Sequence, residues 1–149
     1  MRKLLAGKLH GATITETKLD YVGSISITKE LVEGAGLLPL EEVHIWNLSN
    51  GERLTTYVLP VDAPNMMRLN GSAAHKARAG DTVIIVSYRW VDETDLGRYR
   101  VPVLILGDEN RVVERLVYDC DVAGGRFDIL TDRDDKIPAI PADSKEPPG

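Results

Sequence analysis

Along the first 130 positions, short runs in which apolar and polar residues alternate are repeatedly closed by Gly, Asn, Asp or Pro, the pattern of half-buried strands joined by turns. Residues 3–17 set Leu5, Leu9 and Ile14 against Lys8, His10, Thr13 and Thr15, which predicts a strand that Gly7 and Gly11 weaken or bulge. Residues 24–27 form a second short strand, and 28–35 a short helix ended by Gly34 and Gly36. The clearest local signal is Val43 to Asn47, Ser49-Asn50-Gly51 and Arg53 to Leu59, because Asn-Gly supplies the positive φ angles of a hairpin turn. Asn70-Gly71 opens a turn before a short helix at 73–77, and Gly80-Asp81 starts a strand at 82–88. Strands at 101–106 and 112–118 flank a turn at 107–110. Many short strands with few helices predict a small β-barrel or sandwich.

From Thr131 the chain turns to charges and to Pro138, Pro141, Pro147 and Pro148, with too little apolar surface to offset chain ordering. A single domain over 1–130 and a disordered tail over 131–149 are expected. With 18 Lys+Arg against 23 Asp+Glu the net charge is -5, which argues against a nucleic-acid partner. No apolar run approaches the roughly 18 residues of a membrane span, and Met1 to Lys8 breaks its apolar stretch too early for a secretory signal. A cytoplasmic protein without membrane contact is expected. One cysteine forms no internal disulfide, and three scattered histidines lack the short spacing of a zinc site, so no metal is expected. The chain also has no phosphate-binding Gly-rich loop before Lys-Ser/Thr, no Gly-x-Ser-x-Gly elbow and no His-Glu-x-x-His.

Three short islands remain: Gly7-Lys8-Leu9-His10 with Tyr21-Val22-Gly23-Ser24, then Asn50-Gly51-x-Arg53-x-x-Thr56-Tyr57, then Asn70-Gly71-Ser72-Ala73-Ala74-His75. In this order and spacing, from about Arg2 to Tyr118, the chain resembles the pyruvoyl-dependent aspartate 1-decarboxylases, which make β-alanine for pantothenate synthesis. The resemblance implies a mainly β fold, a double-psi β-barrel with short helices, assembled as a homotetramer with active sites between subunits. It further implies a zymogen that cuts itself between Gly23 and Ser24, with Thr56 stabilising the oxyanion and Ser24 becoming a covalent pyruvoyl group. That ketone forms a Schiff base with L-aspartate and replaces pyridoxal phosphate. Tyr57 is the implied proton donor, Lys8 and Arg53 the implied cations for two carboxylates, and Gly71, Ser72 and Ala73, together with Thr56, the implied substrate contacts. Asn70, His10 and Tyr21 have supporting roles. Many relatives carry Ala where Ser72 stands.

Taken singly, each of these residues has a plainer reading. Gly23-Ser24 is then an ordinary turn, Lys8 and Arg53 are solvated charges, Tyr57 is a core tyrosine and Thr56 a β-former. His10 would hydrogen-bond a neighbour. His44 and His75 are expected at the surface or supporting the site, Cys120 as a small buried hydrophobe, and Arg98 and Arg100 in a solvated loop. Strict alternation puts Arg53, Thr55 and Tyr57 on one side of their strand and Thr56 on the other, so either a bulge or a use of both faces is required. The alternatives kept open are a decarboxylase of another acidic amino acid, suggested by Ser72 and the stretch 60–68, and an unprocessed barrel that binds or regulates. Whether maturation needs an accessory factor is also open.

Overall fold

The structure, a computed structural model, describes residues 1–134. Ten strands form one continuous sheet: β1 (Arg2–Thr13), β2 (Glu16–Lys18), β3 (Ser24–Thr28), β4 (Glu42–Asn47), β5 (Arg53–Val61), β6 (Met67–Asn70), β7 (Thr82–Val91), β8 (Arg98–Leu106), β9 (Val112–Asp121) and β10 (Arg126–Thr131). Their spatial order is β10-β9-β8-β1-β7-β4-β5-β3-β6-β2. The fold is mainly β and is the double-psi β-barrel expected from the sequence.

β1 runs antiparallel to β7 for most of its length and parallel to β8 over Lys8 to His10, so it lies in the middle of the sheet. Gly11 explains how it serves one core throughout. At φ +80° it sits in a bulge between His10 and Ala12, which resets the alternation so that Ala12 and Ile14 join Leu9 inside. Gly7 has a different reason: a Cβ there would lie 2.2 Å from the carbonyl oxygen of Ala35, the residue that ends the short helix α1 (Lys29–Gly34). The parallel pair β3–β5 requires a crossover, which α1 and β4 provide.

The main core gathers Leu9, Ile25, Ile27, Val43, Ile45, Val58, Leu69, Ile85 and Leu104, all fully buried. Each such side chain contributes about 1.5–3 kcal/mol relative to exposure. A smaller cluster forms around Val91, Tyr99, Val101 and Val103 where β1 meets β8 and β9. The Tyr99 hydroxyl donates to the Leu5 carbonyl at 2.7 Å, and burial holds its phenol above the usual range.

Several expectations are corrected. The strand predicted over 3–17 breaks after Thr13, because Ile14 bonds the Asp81 carbonyl and Thr15 bonds Met67 instead of continuing along β7. Thr28 does not cap α1: its hydroxyl donates to the Ala63 carbonyl at 2.7 Å and accepts from Met66 N–H, tying down the loop before β6. The Asn50-Gly51 turn is wider than a two-residue hairpin, with Gly51 N–H bonded to Asn47 C=O and the Asn47 and Asn50 side chains each accepting from a backbone N–H two residues on. The segment after Asn70 is a 3-10 helix over Gly71–Lys76. Arg98 and Arg100 begin β8 rather than a loop, each 3.5 Å from the buried Asp119 carboxylate. Cys120 is only partly buried. β2, β6 and β10 were not anticipated. Thr131 closes β10 and Asp132–Asp134 form a 3-10 turn, whereas the rest of the expected tail, 135–149, lies outside the described residues.

Candidate active site

β3 and β6 lie antiparallel, pairing Ser24 with Asn70 and Ser26 with Arg68. Since Ile25 and Ile27 turn into the core, Ser24 and Ser26 share the opposite face with Asn70 and Arg68. Ser24, Ser26 and Asn70 are buried, and buried polar groups need partners. Asn70 Nδ2 donates to Ser24 Oγ at 2.8 Å and to Ser26 Oγ at 3.0 Å, while the Ser24 hydroxyl donates to the Val22 carbonyl at 3.3 Å. Arg68 Nε donates to Asn70 Oδ1 at 2.9 Å.

The glycine requirement beside this cluster falls on Gly71 and not on Gly23. Gly23 is absent from the left-handed region, and a Cβ on it would meet nothing nearer than Asn70 O at 4.0 Å. Its neighbour Gly71, at φ +65°, packs directly on it: a Cβ there would come 2.7 Å from Gly23 Cα and 2.9 Å from Tyr21 O. Gly71 therefore lets the chain after β6 press against the Gly23-Ser24 bond, and Gly23 leaves its own side of that bond open. The exposed Tyr21 ring lies 4.8 Å from Lys18 Nζ and 5.3 Å from the Arg68 guanidinium.

β5 borders β3 on its other side, with Ile25 opposite Val58 in parallel register. One step back from that pair, Ser24, the first residue of β3, falls beside Tyr57. The β4–β5 ladder pairs Glu42 with Tyr57 and Val43 with Thr56 without interruption, so no bulge brings Thr56 and Tyr57 to the same side. They serve opposite faces. Thr56 shares the side of core residue Val58, and Tyr57 shares the side of Ser24.

Lys8 and His10 stand on β1, and Arg53 opens β5. Ladder pairing places Lys8, Val86, His44 and Thr55 in one row and His10, Ile84, Trp46 and Arg53 in the next. Lys8 is thus three strand spacings, roughly 14 Å, from β5. The Arg53 guanidinium lies 5.0 Å over the Trp46 ring, four residues or about 13 Å along β5 from Tyr57. Counted along the sheet, β1 with Lys8 and β5 with Arg53 are three strands apart. His44 is half-buried, its Nδ1 3.5 Å from Thr55 Oγ1, and His75 is exposed. Ser72 is exposed, whereas Ala73 packs against the core.

Burial, and secondarily the charge of Lys8, lower the His10 pKa. A histidine in this state binds its proton more weakly folded than unfolded, so its contribution to stability is full above about pH 6.5 and falls as the pH drops from there through the folded pKa. NMR titration of His10 should give a midpoint below the ordinary histidine value. Lys8→Met should move that midpoint only part of the way back, because the larger cause, burial, remains; an unchanged midpoint would remove Lys8 as a cause.

Clefts on the surface include one of about 490 Å³ beside Lys29 and Asp62 and one of about 350 Å³ beside Tyr99 and Phe127. Neither is lined by Ser24, Tyr57, Arg53 or Lys8. Among the described residues no group of three or more His, Cys, Asp or Glu side chains could hold a metal ion, and no helix is long and apolar enough to cross a membrane. Ser26 and Arg68 were missed in the sequence. Their only signal was spacing, since each stands two residues from a candidate residue on the same strand and so shares its face.

The barrel thus holds an internal Gly-Ser bond beside a buried cluster of Ser24, Ser26, Arg68 and Asn70. Residues 1–113 match the family model described as aspartate decarboxylase. Over 146 residues the chain is 39% identical to aspartate 1-decarboxylase 2 of Mesorhizobium japonicum, covering 95% of this chain and 97% of that one. It is 42% identical over 142 residues to the aspartate 1-decarboxylase of Xanthobacter autotrophicus (93% and 95% covered), and 41% identical over 116 residues to that of Bacillus subtilis (77% and 91% covered). The chain belongs to the aspartate decarboxylase family, whose members are carboxy-lyases.

Proposed function

We propose that this protein is a self-processing decarboxylase that converts L-aspartate to β-alanine and CO2, as a source of β-alanine for pantothenate synthesis. The observation that carries the proposal is the buried Ser24 hydroxyl, held by Asn70 Nδ2 directly after the uncrowded Gly23.

Maturation uses the chain's own atoms. Ser24 Oγ attacks the Gly23 carbonyl carbon, the C–N bond breaks, and the hydroxyl proton passes to the departing nitrogen, leaving an ester and a free amine. Thr56, on β5 beside β3, donates to the oxyanion that develops on the Gly23 carbonyl oxygen. Loss of the Ser24 Cα proton and of the Gly23 carboxylate gives dehydroalanine. Water then replaces the nitrogen, ammonia leaves, and a pyruvoyl group remains.

The residues around position 24 fit such a group: Asn70 Nδ2 is a buried donor beside it, and Gly71 brings the start of a 3-10 helix against it. The group supplies a carbonyl electron sink for the pair released when the α-carboxylate leaves as CO2. Tyr57, on the face of Ser24, delivers a proton to the carbon that has lost its carboxylate. Lys8 and Arg53 hold the substrate carboxylates through charge-assisted hydrogen bonds. A second copy of the chain completes the site in a homotetramer with shared sites, since β1, which carries Lys8, is four strands from β3, which carries Ser24, in the order of the sheet. A second reading, decarboxylation of a different acidic amino acid, is favoured by one observation: the hydroxyl of Ser72 is exposed beside Gly71.

Intact-mass measurement of the purified protein tests the proposal. A small chain ending at Gly23 is expected, together with a larger chain lighter than its serine-started counterpart by the exchange of amine for ketone. Chromatography should then show β-alanine formed from aspartate. Consumption of glutamate with no β-alanine from aspartate would establish the second reading. A chain that stays whole after warm incubation, with or without added cell extract, would leave only a binding barrel.

A further inference from the structure

Asn70 can present either its oxygen or its nitrogen to Ser24, and the hydrogen bonds behind it decide which. Its Oδ1 receives Arg68 Nε at 2.9 Å, which turns Nδ2 toward Ser24 Oγ at 2.8 Å and Ser26 Oγ at 3.0 Å. Arg68 Nη2 also donates to Ser26 Oγ at 3.3 Å, so guanidinium, amide and hydroxyl close a ring. The guanidinium is itself fixed: its side chain is 18% exposed, Nη1 lies 3.8 Å from Glu16 Oε1, and the Tyr21 ring covers it at 5.3 Å.

We infer that Arg68 is a positioning residue for self-cleavage, acting through Asn70 and with Ser26 as its second anchor. The inference rests on the self-cleavage reading above. A guanidinium has only donors, so the amide atom facing it must be the oxygen. With the amide held that way, Ser24 Oγ faces a donor while its hydroxyl proton leaves and negative charge builds on it, before attack passes that charge to the Gly23 carbonyl oxygen. A hydrogen bond to an oxygen gaining charge strengthens as the charge builds. The positive charge behind Oδ1 polarises the amide and makes Nδ2 a stronger donor. With the amide reversed, Oδ1 would face the charged oxygen and oppose it. Lysine at 68 would retain the charge without the fork that bonds Asn70 and Ser26 together.

Two readouts test this. The first is the rate of self-cleavage, followed on denaturing gels: Arg68→Leu should slow it at least about tenfold, and Arg68→Lys by an intermediate factor, with thermal midpoints showing that each is folded. The second does not depend on cleavage. In the uncleaved Ser24→Ala chain, Ser26 can still accept from Nδ2, and the Asn70 side-chain amide protons should exchange slowly by NMR. Adding Arg68→Leu should speed their exchange at least about tenfold, on the scale of a lost charge-assisted hydrogen bond. If Arg68→Leu does not fold, Arg68→Lys in both measurements carries the test. A folded Arg68 variant that cleaves at the wild-type rate, or that slows while Asn70 stays as protected as before, would overturn the inference. Wild-type protein that never cleaves would sink the self-processing reading instead, and the exchange measurement would still report whether Arg68 orders Asn70.

Discussion

Ser24→Ala should leave the chain whole and without decarboxylase activity. Only the hydroxyl is removed, and its loss frees one bond from Asn70 Nδ2, which keeps its second partner in Ser26. The cost to folding is on the order of 1 kcal/mol, the net worth of a single neutral hydrogen bond, so the barrel should form. Cleavage, by contrast, loses its nucleophile outright, and no neighbouring group replaces it: Ser26 faces the same side but is two residues from the scissile bond. A gel and an intact mass after prolonged warm incubation should show one chain of full length, with no β-alanine from aspartate. Appearance of the 23-residue fragment from this variant would mean that the attacking oxygen comes from elsewhere.

Tyr57→Phe should separate maturation from turnover. The variant keeps the ring and removes the phenolic proton, so packing on the β5 face changes little. Cleavage needs Ser24 and a donor to the Gly23 oxyanion, and Tyr57 is neither; the processed fraction should match wild type. Turnover additionally needs a proton delivered to carbon, and kcat should fall by about two to four orders of magnitude, the usual worth of a positioned general acid. Both quantities can be measured on the same samples. Processed Tyr57→Phe protein with near-normal kcat would assign proton delivery to another donor.

What could be read from the sequence was what depends on near neighbours. The alternation through Val43, Ile45 and Leu54 marked β4 and β5, and the unbroken ladder between them settles the question of faces that alternation alone raised at Thr56 and Tyr57. The island residues were legible as a set through their order. What was hidden depends on partners distant in the chain. β6 is four residues long and follows loop residues through Met66, so its alternation is too short to register, although it supplies both Arg68 and Asn70. Arg98 and Arg100 read as solvent-facing charges because their partner, Asp119, is on another strand. The contact of Gly71 on Gly23 joins residues 48 positions apart, and a glycine in sequence does not reveal what presses against it.

β1's central place in the sheet bears on what cutting at Gly23 would do to the molecule as a thermodynamic object. The released 23-residue piece would contain β1 and β2, and β1 is paired on both sides, with β7 and β8, while Leu9, Ala12 and Ile14 sit inside the main core. It could not depart without opening the barrel, so the mature protein would remain one folded body made of two chains. Unfolding would then become dissociation, and refolding a bimolecular search whose success falls with dilution. Refolding of the uncut precursor, a single chain, would carry no such dependence on concentration. The mature form would be sustained by the barrier to unfolding more than by the ease of return, its durability kinetic from the moment the bond is cut.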